Sequence, residues 1–455
     1  MSDSSRQTIS LTIFFASFVF LQFTVLGLGN HAGEGYLPTS QRELVYYGIQ
    51  VFVILGYWSY ALVRRLSRLE TLGRVIQGAV LAVCFAGSAV LLAAEGSRFQ
   101  LVVTFATVFC LGCLGSAVYE RMSQASAAGG RVALVMGLSY TAAIALQYVL
   151  QLRWGVTPAL PVFTLAAFGV LAVFLLGKER TSPAAPSLVA SPRALLFTLL
   201  IAAILLLFSG FYNSYIHHLQ VVSGYTDYNV YAWPRLMLIP GYLFFGAIGD
   251  RWDGRLVPVA AVCVALAAML NAALVASNGA YWLNMCLFYI ALSGAVSYYN
   301  LAFWRLAQGT KWPAFWASMG RVLDSGVVLV TFALGLSGLP VPAILAIDVA
   351  GLAAVILLLA LGGQFSAPAP TSPPSAADPE TTLAVMRERY GLTNRETEVL
   401  RELVCTEDKQ AAIAARLGVK EGTIQFHTTA LYRKTGAGTR AGLCELYFTA
   451  ARELQ

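Results

Sequence analysis

Between Glu421 and Thr435 the sequence EGTIQFHTTALYRKT places Gln425, Phe426, Thr429 and Arg433 on one side of a helix. Ile424, Ala430 and Leu431 form the apolar side opposite. An outward glutamine amide can pair with the N6/N7 edge of adenine, and an outward arginine can pair with phosphate. The preceding DKQAAIAARLGV predicts a short helix from Asp408, with Ile413 and Leu417 four apart, broken at Gly418 and closed by Val419. Two short helices joined through a glycine turn are a helix-turn-helix, whose second helix enters the major groove. From Lys409 to Arg440 there are six basic residues and one acid, Glu421, which suits a phosphate-facing surface.

Two more helices must hold that pair. In LTNRETEVLREL (392–403), Asn394 or Thr393 can cap a helix start, and Glu396 and Glu398 favour its positive end. Val399, Leu400 and Leu403 give it an apolar stripe, and TRAGLCELYFTAARE from Thr439 supplies the last helix. The expected tail is a small four-helix unit over 383–455.

LTNRETEVL, IAARLGV, the trio Thr423–Ile424–Gln425, His427 and YRKTGAGTRAGL together resemble the LuxR/FixJ-type helix-turn-helix over about 60 residues. The resemblance implies that Gln425, Phe426 and Thr429 reach bases, while Thr423, His427, Arg433 and Lys434 lie along the DNA backbone. Two positions depart from that pattern. Lys420 stands where Ser or Thr is usual, and Gln425 replaces a common lysine, so base preference should differ from relatives.

The rest of the chain is of another kind. Of 455 residues 58% are apolar and 12% charged, and the mean hydropathy is +0.68. A soluble chain carries about 25% charged residues; this one faces lipid over most of its length. Apolar runs long enough to cross a ~30 Å core fall at about 9–29, 45–63, 75–94, 99–119, 132–152, 158–177, 194–213, 231–249, 257–277, 282–303, 322–338 and 341–361. The fold class expected is all-α: a polytopic bundle of about twelve spans, six plus six, over 1–361. A Pro/Ser/Ala-rich tether follows over 362–382.

Loop charge orients the bundle. Arg6, Arg64, Arg65, Arg68, Arg74, Arg121, Arg131, Lys178, Arg180, Arg193, Arg251, Arg255, Arg305, Lys311 and Arg321 fall on one side, fifteen in all. Arg42, Arg98 and Arg153 make three on the other. Both termini are therefore expected in the cytoplasm, with the protein multi-pass in the cell's inner membrane. Six spans, a polar middle loop (178–193) and six more resemble the major facilitator superfamily. GAIGDRWDGR (246–255) is similar to that family's Gly-x-x-x-Asp-Arg-x-Gly-Arg loop, with one extra residue at Trp252–Asp253.

Polar groups in or beside spans are costly and mark function. Arg235 is the best single candidate for pairing an anionic or phenolic ligand, with Asp227, His217, His218, Glu34, Tyr299 and Asn300 as further ligand-binding candidates. The seven cysteines are scattered, and the Cys110–Cys113 pair sits in an apolar helix without histidine or carboxylate neighbours, so packing is the expected role. There is no GxSxG, Walker A loop or HExxH, and only four histidines. No enzyme, cofactor or metal is expected.

The whole resembles membrane-bound LuxR-type regulators of bacteria. The expected partners are double-stranded promoter DNA, a second copy of the chain on that DNA, a small-molecule ligand and RNA polymerase. The alternative is a major-facilitator-type transporter with a regulatory DNA-binding tail.

Overall fold

A computed structural model describes residues 3–31, 37–66, 70–93, 98–152, 157–177, 190–222, 233–251, 254–274, 281–334, 339–362, 379–406, 408 and 410–453. Every regular element among them is helical. The chain divides into two compact units, Met1–Phe365 and Ser366–Gln455.

Among the described residues the first unit holds twelve α-helices. They are α1 (Asp3–His31), α2 (Thr39–Leu66), α3 (Glu70–Ala93), α4 (Arg98–Ala127), α5 (Val132–Gln147), α6 (Leu160–Leu176), α7 (Pro192–Val222), α8 (Leu238–Gly249), α9 (Leu256–Leu274), α10 (Tyr281–Ala307), α11 (Pro313–Ala333) and α12 (Val341–Leu361). A π-turn, Tyr148–Leu152, extends α5, and a 3₁₀ turn, Trp233–Met237, leads into α8. Among the described residues nine helices are long and apolar enough to cross a membrane, and α6 and α9 are shorter apolar helices. Helix is what such sequence must adopt, because lipid offers no partner for a backbone N–H or C=O.

The pairing of helices repeats with an offset of six. Pairs α1–α5, α1–α6, α2–α4, α3–α4 and α3–α6 recur as α7–α11, α7–α12, α8–α10, α9–α10 and α9–α12. The unit is thus two like halves, which meet through α5–α8 and α2–α11. Glycine permits the closest of these approaches. A Cβ on Gly137 would stand 2.6 Å from the Tyr242 carbonyl oxygen, and one on Gly246 would stand 3.0 Å from the Gly137 Cα.

The loop after α8 has a defined task. The Asp250 carboxylate accepts from the backbone N–H groups of Ala133 and Leu134, both at 2.9 Å, so it caps the start of α5 in the other half. The Arg305 guanidinium donates to the Gly249 carbonyl at 2.6 Å. Trp252 and Asp253 lie outside the described residues. Asp250→Ala should destabilise the unit by ~0.5–2 kcal/mol, the usual worth of a cap, and Asp250→Asn by less. Thermal unfolding of the purified chain in detergent checks this; equal midpoints for all three proteins would refute it.

One span differs from expectation. The eleventh helix starts at Pro313 and ends at Ala333, not 322–338. Pro313 occupies the first turn, where a missing N–H costs nothing. Arg321 therefore lies well inside a helix, not in a loop.

Among the described residues the second unit has five helices, α13 (Pro379–Tyr390), α14 (Asn394–Cys405), α15 (Gln410–Leu417), α16 (Glu421–Thr435) and α17 (Arg440–Glu453). Four of these are the expected ones. The fifth, α13, begins inside the segment that composition reads as tether, and it packs on α14 and α17. Leu383 and Met386 carry it into a core shared with Val399, Leu400, Ile413, Ile424, Leu431, Leu443 and Tyr447. Its ends are charged as the helix dipole favours, with Glu380 in the first turn and Arg387 and Arg389 in the last.

Candidate functional site

The start of α14 is a capping box. Thr393 Oγ1 accepts from the Glu396 N–H at 3.3 Å, and Glu396 Oε2 accepts from the Thr393 N–H at 2.7 Å. Gly418, at φ +66°, ends α15 in the left-handed conformation that a β-carbon disfavours. The Val419 N–H then closes the corner on the Ala414 carbonyl at 3.0 Å. Helix α16 runs from that corner.

Ile424, Thr428 and Leu431 are its buried stripe. Thr428 takes the place expected for Ala430, because positions four and seven after Ile424 share its face. Gln425, Phe426, Thr429 and Arg433 are all exposed, as the sequence suggests, and Thr423 is exposed beside them. His427 lies half-buried at the flank, its ring 5.6 Å from that of Phe426. The helix that would enter a groove thus presents one amide, one aromatic ring, one hydroxyl and one guanidinium.

The basic stretch is less free than its charge suggests. The Lys434 ammonium donates to Glu396 Oε2 at 2.7 Å and to the Gly391 carbonyl at 3.0 Å, so it closes on the capping box instead of facing outward. Arg416 pairs with Glu402 at 3.2 Å and with Asp408. The Arg440 guanidinium donates to the Leu403 and Asp408 carbonyls at 2.8 and 2.7 Å, and to that of Thr406. Three of the six cations are therefore internal fastenings. Lys420 and Arg433 stand exposed outside these bonds. Burial pushes the Glu396 carboxyl up, but its bond to Lys434 and its two bonds with Thr393 outweigh this and hold it below the ordinary carboxylate value.

In the first unit, Arg321 gathers polar groups between the halves. Its Nη1 donates to the Tyr299 hydroxyl at 2.9 Å and to Asp324 Oδ2 at 2.7 Å. With the Gln22 amide turned so that its oxygen faces the guanidinium, it accepts from Nη2 at 2.6 Å and from Nε at 3.2 Å. Asn300 Nδ2 donates to the Tyr140 hydroxyl at 3.2 Å, and the Tyr140 ring stacks on Tyr242 at 4.4 Å. Phe15 meets Tyr119, Tyr140 and Trp304 edge-on. The Trp304 indole Nε1 is buried without a hydrogen-bond partner among the described residues.

Arg235 also reaches across from the second half to the first. Its Nη2 donates to Gln147 Oε1 at 3.3 Å, and its guanidinium lies over the Phe23 ring at 5.2 Å. Phe23 in turn neighbours Tyr140 at 6.1 Å, so Arg235, Phe23, Tyr140 and Asn300 form a continuous wall. Of the other candidates, Tyr299 bonds to Arg321 and Asn300 to Tyr140, both on the seam between the halves. Asp227 and Glu34 lie outside the described residues, as do the side chains of His217 and His218. Sequence reasoning misses Asp324 and Gln22 and reads Arg321 as a loop cation; the signal for Arg321 and Asp324 is a pair of opposite charges three apart with apolar residues between them.

Residues 391–446 match the family described as GerE, bacterial regulatory proteins, luxR family. No curated protein matches the chain. Among solved structures, the human organic anion transporter MFSD10 (TETRAN) is similar at a TM-score of 0.50 and 15% identity, over 79% of this chain and 100% of that one. The major facilitator superfamily transporter FucP, in its outward conformation, matches at 0.50 and 14%, over 77% of this chain and 97% of that one. A bacterial homologue of the iron transporter ferroportin matches at 0.50 and 12%, over 81% and 100%. At such identities the likeness is one of fold. The chain carries a LuxR-type helix-turn-helix DNA-binding domain at residues 391–446, joined to a multi-pass membrane unit of major-facilitator-like fold.

Proposed function

We propose that the protein is a membrane-embedded one-component transcription regulator, whose membrane unit binds a small molecule and whose second unit binds promoter DNA as a pair. The observation that carries this reading is the outward set Gln425, Phe426, Thr429 and Arg433 on a LuxR-type recognition helix in a chain that also crosses the membrane. With Arg321 removed from the loops, fourteen of the fifteen basic residues still oppose three. That bias favours both termini in the cytoplasm, where DNA is.

The ligand is assigned to the seam between the halves, where Arg321 and Arg235 supply positive charge and Tyr299, Asn300 and the aromatic wall supply shape. Ligand moves a conformational equilibrium only through its differential affinity for the states. Two halves that rock against each other provide such states, and their cytoplasmic ends lead into the tether.

Chromatin pull-down of the full-length protein, combined with transcript profiling of a deletion strain across a panel of small molecules, tests the reading. The genes bound should be the genes that lose ligand response. A C-terminal phosphatase fusion active in the periplasm would overturn it. Ligand accumulation in proteoliposomes without promoter occupancy would favour the transporter alternative.

A further inference from the structure

In the second unit the large apolar side chains lie in or against the core, with a single exception among the described residues. Phe426 is 71% exposed, on the outer face of α16 between Gln425 and Thr429. Single exposed apolar residues are common on surfaces, so exposure alone decides nothing. Its surroundings decide more. The ring stands one position from an outward glutamine amide, on the helix that a helix-turn-helix inserts into the major groove. Lys420 and Arg433 flank it at the two ends of the helix, cations placed for the phosphates on either side of that groove.

The major groove presents one apolar group, the thymine C5-methyl; the other base edges there are hydrogen-bond donors and acceptors. A phenylalanine has no polar atom with which to read those edges. We propose that Phe426 reads a thymine methyl in the major groove, beside a base pair whose adenine is held by the Gln425 amide. The proposal rests on the DNA-binding reading above and adds the base chemistry that this particular helix selects. Shape supports it, because the ring is mostly exposed, meets the His427 ring near-perpendicular at 5.6 Å, and presents an accessible apolar surface to a groove floor. A second copy of the chain is the competing occupant. It would leave the flanking cations without phosphates to meet.

The test uses the full-length protein in nanodiscs. A random duplex pool is put through rounds of binding, and the enriched duplex is then made with each thymine replaced in turn by deoxyuridine, which removes only the methyl. One such replacement should weaken binding about three- to fivefold, the worth of one buried methyl-sized group. Phe426→Ala should bind the methylated and demethylated duplexes equally, and Phe426→Leu should keep part of the difference. An enriched duplex that is indifferent to every deoxyuridine, or a methyl effect that persists in Phe426→Ala, would overturn the inference while leaving DNA binding intact. Phe426→Ala that alters only self-association would overturn it in favour of the second copy. A pool that yields no enriched sequence would overturn the DNA-binding reading itself, and this inference with it.

Discussion

Arg321→Ala is expected to lower the unfolding midpoint of the full-length protein sharply and to abolish ligand-dependent transcription. The guanidinium satisfies three partners at once: Tyr299, Asp324 and Gln22. Its side chain is 13% exposed and that of Asp324 is 28% exposed. Removing one member of a buried pair typically costs ~3–5 kcal/mol, because the other charge is left without compensation. The partial exposure of Asp324 places this case at the lower end. Arg321→Ala combined with Asp324→Ala should recover much of the loss, since no uncompensated carboxylate then remains. Arg321→Lys keeps the charge but not the planar fork, and should fall between. Unfolding in detergent, followed by fluorescence, reads all four proteins. A single alanine variant with an unchanged midpoint would show that the cluster contributes nothing, and normal induction in that variant would move the ligand elsewhere on the seam.

Hydropathy locates a span by its apolar run, so GTKWPAFWASMGR reads as loop and the eleventh span appears to begin at Val322. In the folded chain Arg321 and Asp324 stand one turn apart and neutralise each other, which lets the helix start at Pro313. Among the described residues eight other spans are legible from length and apolarity alone, whereas α6, α8 and α9 are apolar but shorter. The tail helices are legible for a different reason: Thr393 and Gly418 mark helix ends through local chemistry. Helix α13 has weaker marks, two buried side chains three apart after a run of prolines, and composition outweighed them. Long-range partners were out of reach. Nothing near Asp250 in sequence says that it caps a helix beginning at Val132, and nothing near Lys434 says that its carboxylate is thirty-eight positions away.

That last partnership carries the second large effect. As a cation on a recognition helix, Lys434 is expected from sequence to weaken all DNA alike when removed. The structure places the ammonium of this side chain, which is 29% exposed as a whole, against a Glu396 side chain that is 7% exposed. Lys434→Ala should therefore act on folding. Loss of the partner leaves a nearly buried carboxylate supported only by Thr393, at a cost of ~2–3 kcal/mol. A domain of this size has roughly 4–11 kcal/mol in total, so the variant loses a large fraction of its stability. Arg433→Ala, which is exposed, should leave stability alone and reduce the salt slope of DNA binding by ~0.9.

The pH dependence separates the two further. Glu396 has a folded-state pKa held below its unfolded value, so its contribution is complete above that unfolded value and is lost as pH falls through the folded one. The stability gap between wild type and Lys434→Ala should accordingly be full at neutral pH and close in acid, below the ordinary carboxylate range. Urea unfolding of the second unit, which has a core of its own, measures the gap across pH. A Lys434→Ala variant as stable as wild type, with a shallower salt slope, would return this lysine to the DNA backbone.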